Sequence, residues 1–169
     1  MTELALPAFA ESFLAGGGRD LDISRFPDIP AFTAGSHVRL VDSNGEELGL
    51  AIADPENQRL RVLVLPSDNL IKIDATLLAL RVERAVAWRK QLGLVAKGEA
   101  YRLLHGAGDG LPGFTCDVLG DVAVIWVLGE GLRALGKQLA NAVIGFAQLA
   151  GAVLPKNYSM LNGNTMWKF

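Results

Sequence analysis

Residues 101–121 read YRLLHGAGDGLPGFTCDVLGD. Tyr101–Leu104 has the composition of a strand, a glycine-rich turn follows, and Phe114–Val118 reads as a second strand. The turn contains a literal G-x-G-x-x-G at Gly108, Gly110 and Gly113. In a dinucleotide-binding loop that spacing opens a helix, whose N-terminus holds the pyrophosphate. Here Pro112-Gly113 leads into FTCDVLG, a strand. The stretch therefore reads as a tight strand–loop–strand connection that needs several positive φ values, which glycine adopts at no steric cost. Gly106, Gly108, Asp109, Gly110, Leu111, Pro112 and Gly113 are assigned this structural role, with Asp109 satisfying backbone N–H groups of its own turn.

Downstream, Gly120-Asp121 turns the chain into a third strand, Val122–Val127. Leu132–Leu149 reads as a helix with Leu135, Leu139, Ala142 and Phe146 along one side, and Gly151–Leu154 as a last short strand. Upstream, Asp74 can cap a helix starting at Ala75, on which Leu78, Val82 and Ala85 recur at helical spacing until Gly93 ends it. Before that the period is two. HVRLVD from His37 and ELGLAIA flank a Ser43-Asn44-Gly45 hairpin turn. In RLRVLVL the alternation points Arg59 and Arg61 outward and Leu60, Val62 and Val64 inward. Residues 1–33 show no clean period; Gly16, Gly17 and Gly18 read as a joint. The expected fold class is α+β: a small β unit within residues 1–73, then residues 74–169 with helices on one face of a small sheet and a C-terminal tail.

The chain has 169 residues, 50% hydrophobic and 20% charged, with mean hydropathy +0.28, which suits a well-buried globular protein. No apolar run reaches the roughly 20 residues of a membrane helix, and MTELALPAFAESF lacks the basic start of a signal peptide. The single cysteine, Cys116, excludes an internal disulfide and a cysteine-rich zinc site. These features predict a cytoplasmic protein without membrane contact. Charge is unevenly divided: residues 1–75 carry a net −6 and residues 76–169 a net +4. Only the second part has the sign that phosphate binding requires.

Tyr101–Leu104, Gly106–Phe114, Asp117 and Gly120-Asp121 resemble the YRL…GE-DGLPGL…D-YGD signature in the middle domain of bacterial class I rRNA large-subunit methyltransferases. Upstream, Val38–Asp42, Gly45, Leu48–Ala53, Asn57, Arg61-Val62, Ala85 and Arg89 resemble the end of a PUA domain and the first middle-domain helix. The resemblance covers about residues 35–155. It implies an N-terminal PUA-like unit, an EEHEE-type middle domain, and a C-terminal Rossmann-like domain that binds S-adenosylmethionine and carries the catalytic cysteine. The reaction it implies adds a thiolate to C6 of a cytosine, activating C5 for methylation. Fourteen residues follow Pro155, too few for a βαβ unit of about 30. The expectation is thus a chain without that catalytic domain, with no cofactor of its own and no catalytic or metal-binding residue.

Arg81, Arg84, Arg89 and Lys90 on the first long helix, with Lys97 and Arg102 after it, are the residues expected to touch RNA phosphate; the alternative is a solvated helix face. Cys116, mid-strand, reads as a small hydrophobe, not a nucleophile. His37 and His105 read as turn or surface residues. Trp126 is expected in the core and Trp88 between helix and sheet. The expected function is RNA binding and substrate positioning for an rRNA cytosine-C5 methyltransferase. The alternative is a stand-alone accessory module that binds a protein partner or forms a homodimer, which the −6 charge of residues 1–75 favours.

Overall fold

The computed structural model describes residues 1–26, 28–95 and 99–155. Lys97, Trp167 and the tail from 158 to 169 lie outside the described residues. Among the described residues the architecture is mixed α/β: two small mixed sheets and three α-helices.

The first sheet has the order β1-β3-β4-β5-β2. At its centre the alternating segments form β3 (His37–Val41), β4 (Glu47–Asp54) and β5 (Arg59–Val64), antiparallel in sequence. Asp42 organises the β3–β4 turn by accepting the N–H groups of Asn44 and Glu46, each at 2.8 Å. Residues 1–33, expected to be irregular, supply both edges. β1 (Thr2–Ala5) pairs parallel with β3, and β2 (Asp20–Asp22) pairs antiparallel with β5. Between them α1 (Ala8–Ala15) buries Ala10 and Leu14 over the sheet. The register of both edges is set by partners dozens of residues away, so no local period announces them.

The second sheet follows α2 (Ala75–Gln91). Asp74 caps that helix by accepting the N–H groups of Thr76 and Leu77 at 3.0 Å. Its other end closes with Gly93 N–H on Lys90 C=O and Leu94 N–H on Arg89 C=O, the Schellman pattern that a left-handed Gly93 permits. Strands β6 (Ala100–His105), β7 (Phe114–Leu119) and β8 (Val122–Val127) run antiparallel. α3 (Arg133–Ala147) then crosses over to β9 (Gly151–Val153), parallel to β8. Helices α2 and α3 pack on one face, where Leu104, Phe114, Cys116, Val118 and Ile125 meet Leu78, Val82, Leu139 and Val143. The other face carries Thr115, Asp117 and, half-buried, Trp126, which pairs across from Thr115. Trp126 is thus on the open face of the sheet and not in the core: position 126 is one register step out of phase with the buried Ile125.

The two units share one core. Leu50, Ile52, Leu63 and Val64 of the first sheet pack with α2 and the second sheet. Both faces of β5 are therefore covered, and Arg61, expected to point to solvent, is 5% exposed. Its Nε and Nη2 donate to Asp54 (2.9 and 2.6 Å), its Nη1 to Asp20, and Nη2 also to the Leu128 carbonyl at 3.2 Å. Asn57 donates to Asp54 and to the same carbonyl. The segment after β8 is thereby fastened to the first sheet. It lies so close that a Cβ at Gly131 would stand 2.2 Å from the Gly35 nitrogen.

Candidate functional site

A cleft of about 730 Å³ opens where the segment just before β2, helix α2 and the glycine loop meet. Its lining includes Arg19, Arg81, Arg84, Trp88, Arg89, His105 and the loop residues Ala107–Gly110. The arginines divide into two kinds. Arg19, Arg81 and Arg89 are buried. Arg19 Nη2 donates to both oxygens of Asp68 at 2.8 Å, and Arg81 Nη2 lies 2.6 Å from Asp68 Oδ2. The Arg81 contact is an ion pair without good hydrogen-bond alignment, since Nε and Nη2 have no aligned acceptor. Arg89 meets Asp109 fork to fork, at 2.6 and 2.7 Å. Arg84, one turn along, is exposed and has no ion-pair partner among the described residues.

Two carboxylates fix this floor. Burial pushes the Asp68 carboxyl up, but the Arg81 guanidinium against it and the donors of Leu65 and Arg19 outweigh this and hold the group below the ordinary carboxylate value. Asp109 also accepts the His105 N–H at 2.6 Å, closing its own turn as expected. The glycine loop has the predicted conformation: Gly106, Gly110 and Gly113 all have positive φ, at 56°, 73° and 84°. At Gly110 a Cβ would sit 2.6 Å from the Arg81 guanidinium.

The residues expected to touch RNA therefore have distinct settings. Arg84 and Lys90 are exposed on α2; Arg81 and Arg89 form the buried floor; Arg102, on the open face of the second sheet, pairs with Asp117. Trp88, expected between helix and sheet, is 53% exposed and lines the cleft. Arg19 was not foreseen: it lies in the acidic half of the chain, 49 residues from the Asp68 that holds it. Cys116 is fully buried, and burial, with Asp117 adding to it, pushes its thiol up to about 12. That suits a core side chain and opposes a nucleophile. His37 and His105 are both exposed. No helix among the described residues is long and apolar enough to cross a membrane.

No protein-family model matches the chain. Its homologues are ribosomal RNA large subunit methyltransferases I. The chain is 38% identical to that of Shewanella denitrificans over 118 residues, 68% of this chain and 30% of the relative. It is 32% identical to that of Cronobacter sakazakii over 109 residues, 64% and 27%. The Salmonella paratyphi C protein aligns over 152 residues at 29% identity, 85% and 38%. The chain thus spans about a quarter to two-fifths of the length of these curated relatives. In fold it resembles a solved Streptococcus mutans chain described as a candidate SAM-dependent methyltransferase. The TM-score is 0.77 at 22% identity, covering 91% of this chain and 40% of that one. A second solved chain, a candidate methyltransferase complexed with SAH, matches equally well.

The glycine loop departs from the dinucleotide-binding arrangement that its spacing suggests. Its last glycine opens β7 instead of a helix, and its inner side is filled by the Asp109 carboxylate and the Arg81 guanidinium.

Proposed function

We propose that this chain is the RNA-binding, substrate-positioning part of an rRNA cytosine-C5 methyltransferase. In this reading residues 1–73 are its PUA-like unit, residues 74–169 its EEHEE-type middle domain and tail, and methyl transfer from SAM belongs to a domain outside both. The observation that carries the reading is the sequence likeness to rRNA large subunit methyltransferases I, confined to under two-fifths of their length. The geometry supports it. Exposed Arg84 sits one turn from exposed Trp88 on α2, and Lys90 is exposed elsewhere on the same helix, in the half of the chain whose net charge is +4. Positive charge gives affinity for phosphate, and an indole gives a surface on which bases stack. Substrate positioning matters in this chemistry because the target cytosine must leave its stack before C6 is attacked.

The test is fluorescence anisotropy of the 169-residue chain with transcribed fragments of large-subunit rRNA, over a salt series. The expected result is salt-sensitive binding with a shallow slope of about two to three phosphate contacts. Labelled SAM should leave no methyl group on that RNA in the presence of this chain alone. Methyl incorporation by the chain alone, or no binding at about 50 mM salt, would sink the reading.

A further inference from the structure

We infer that the cleft between the segment before β2, α2 and the glycine loop is a site for one unpaired nucleotide, with its base stacked on Trp88 and its phosphate held by Arg84. This deepens the RNA-binding reading and rests on it. Three observations converge.

The first is Trp88. Helix α2 buries Leu78, Val82, Ala85 and Val86. Trp88 lies roughly 60° around the helix from Ala85, at the margin of the buried face, and leaves over half of its surface in water beside the cleft. A large exposed aromatic beside a cavity is what single-stranded nucleic acid uses, since only an unpaired base offers its π-face.

The second is Arg84. It is one turn before Trp88 on α2, so the two side chains are neighbours on the helix surface. Unlike the other arginines of the cleft it has no ion-pair partner among the described residues, and its guanidinium is available to a phosphate.

The third is the floor. Arg19, Arg81 and Arg89 are answered by two carboxylates, Asp68 and Asp109, which leaves the pocket positive even before Arg84 is counted. Arg81 is 7% exposed, lines the cleft, and keeps Nε and Nη2 without an aligned acceptor. Both nitrogens are enclosed, and Nη2 is already ion-paired with Asp68, so Arg81 gives its charge, and not a free donor, to the cleft. Its volume of about 730 Å³ falls in the roughly 300–1,000 Å³ range of clefts that hold small ligands.

The experiment compares binding of a dye-labelled single-stranded RNA 10-mer with binding of the same strand in a perfect duplex. It uses the full chain and the variants Trp88→Ala, Trp88→Phe, Arg84→Ala and Lys137→Ala. Trp88 and Arg84 are exposed, so their variants should fold, which thermal melting checks. The single strand should bind more tightly than the duplex. Trp88→Ala and Arg84→Ala should each weaken it about tenfold. Trp88→Phe should restore most of the affinity, and Lys137→Ala, on α3 and outside the cleft lining, should change little. Single-strand binding unaffected by the first two alanine variants overturns the nucleotide site while leaving the RNA-binding reading in place. Absence of binding to either RNA overturns both. Self-association of the chain that disappears in Trp88→Ala, without RNA binding, reassigns the cleft to a protein partner and overturns the inference.

Discussion

Arg89 and Asp109 face each other through two near-parallel hydrogen bonds of 2.6 and 2.7 Å, each side chain 11% exposed. This pair joins α2 to the glycine loop. Asp109→Asn leaves the guanidinium buried without its anion, which should cost about 3 kcal/mol and lower the melting temperature by about 6–12 °C. Adding Arg89→Met removes the orphaned charge and should recover part of that loss. A double-mutant cycle by urea unfolding checks this, and strictly additive losses would show that the pair is not coupled.

Asp68 makes acid stability specific. Its carboxyl is held below the ordinary value in the folded state. It therefore stabilises the fold fully above the unfolded value of about 3.9, and this contribution disappears as pH falls through the lower folded value. Urea midpoints should decline below about pH 4. Asp68→Asn should be less stable at pH 7, with Arg19 and Arg81 both left short of an anion, and should show a shallower acid limb. Parallel curves for the two proteins would contradict this.

The glycines of the loop are not equivalent. Gly113 has φ +84°, and a Cβ there would lie 2.3 Å from Leu132 Cδ1 in the core. Gly113→Ala should cost about 2–4 kcal/mol from backbone strain and overpacking. Gly108 has ordinary φ and open space around it, so Gly108→Ala should stay within about 0.5 kcal/mol of the parent. Thermal melts of the two variants separate the cases, and equal effects would refute the assignment.

Cys116 should be silent in the native protein. Its thiol is buried and pushed up to about 12, so an aromatic disulfide reagent at pH 8 should react only as fast as the fold opens, and promptly in denaturant. Rapid stoichiometric reaction of the native chain would overturn the view of Cys116 as a core residue.

The elements from Asp74 onward were legible because their signals are local. Asp74 caps its own helix, Gly93 closes it, and the strands from Tyr101 to Val127 alternate between turn glycines. Residues 1–33 were illegible because β1 and β2 exist through their partners β3 and β5. Alternation correctly placed Arg61 on the opposite face from Leu60, but it carries no information about what covers that face. The same holds for the cleft. The arginines of α2 were visible as a basic cluster, whereas the carboxylates that restrain Arg81 and Arg89 come from the loops at 68 and 109. Trp88 was misplaced because bulk and hydrophobicity favour burial, and only the packed helix reveals which edge of its apolar stripe is left open.

The contact between Gly35 and Gly131 has a mechanical consequence. Backbone touches backbone there, beside the Arg61 clasp on Leu128, so at this point no side chain can give way between the first sheet and the segment after β8. The junction is stiff at this point. A nucleic acid that engages this surface must therefore supply the adjustment itself, by unstacking or bending, and the sequences that deform most cheaply gain an advantage the protein never reads base by base.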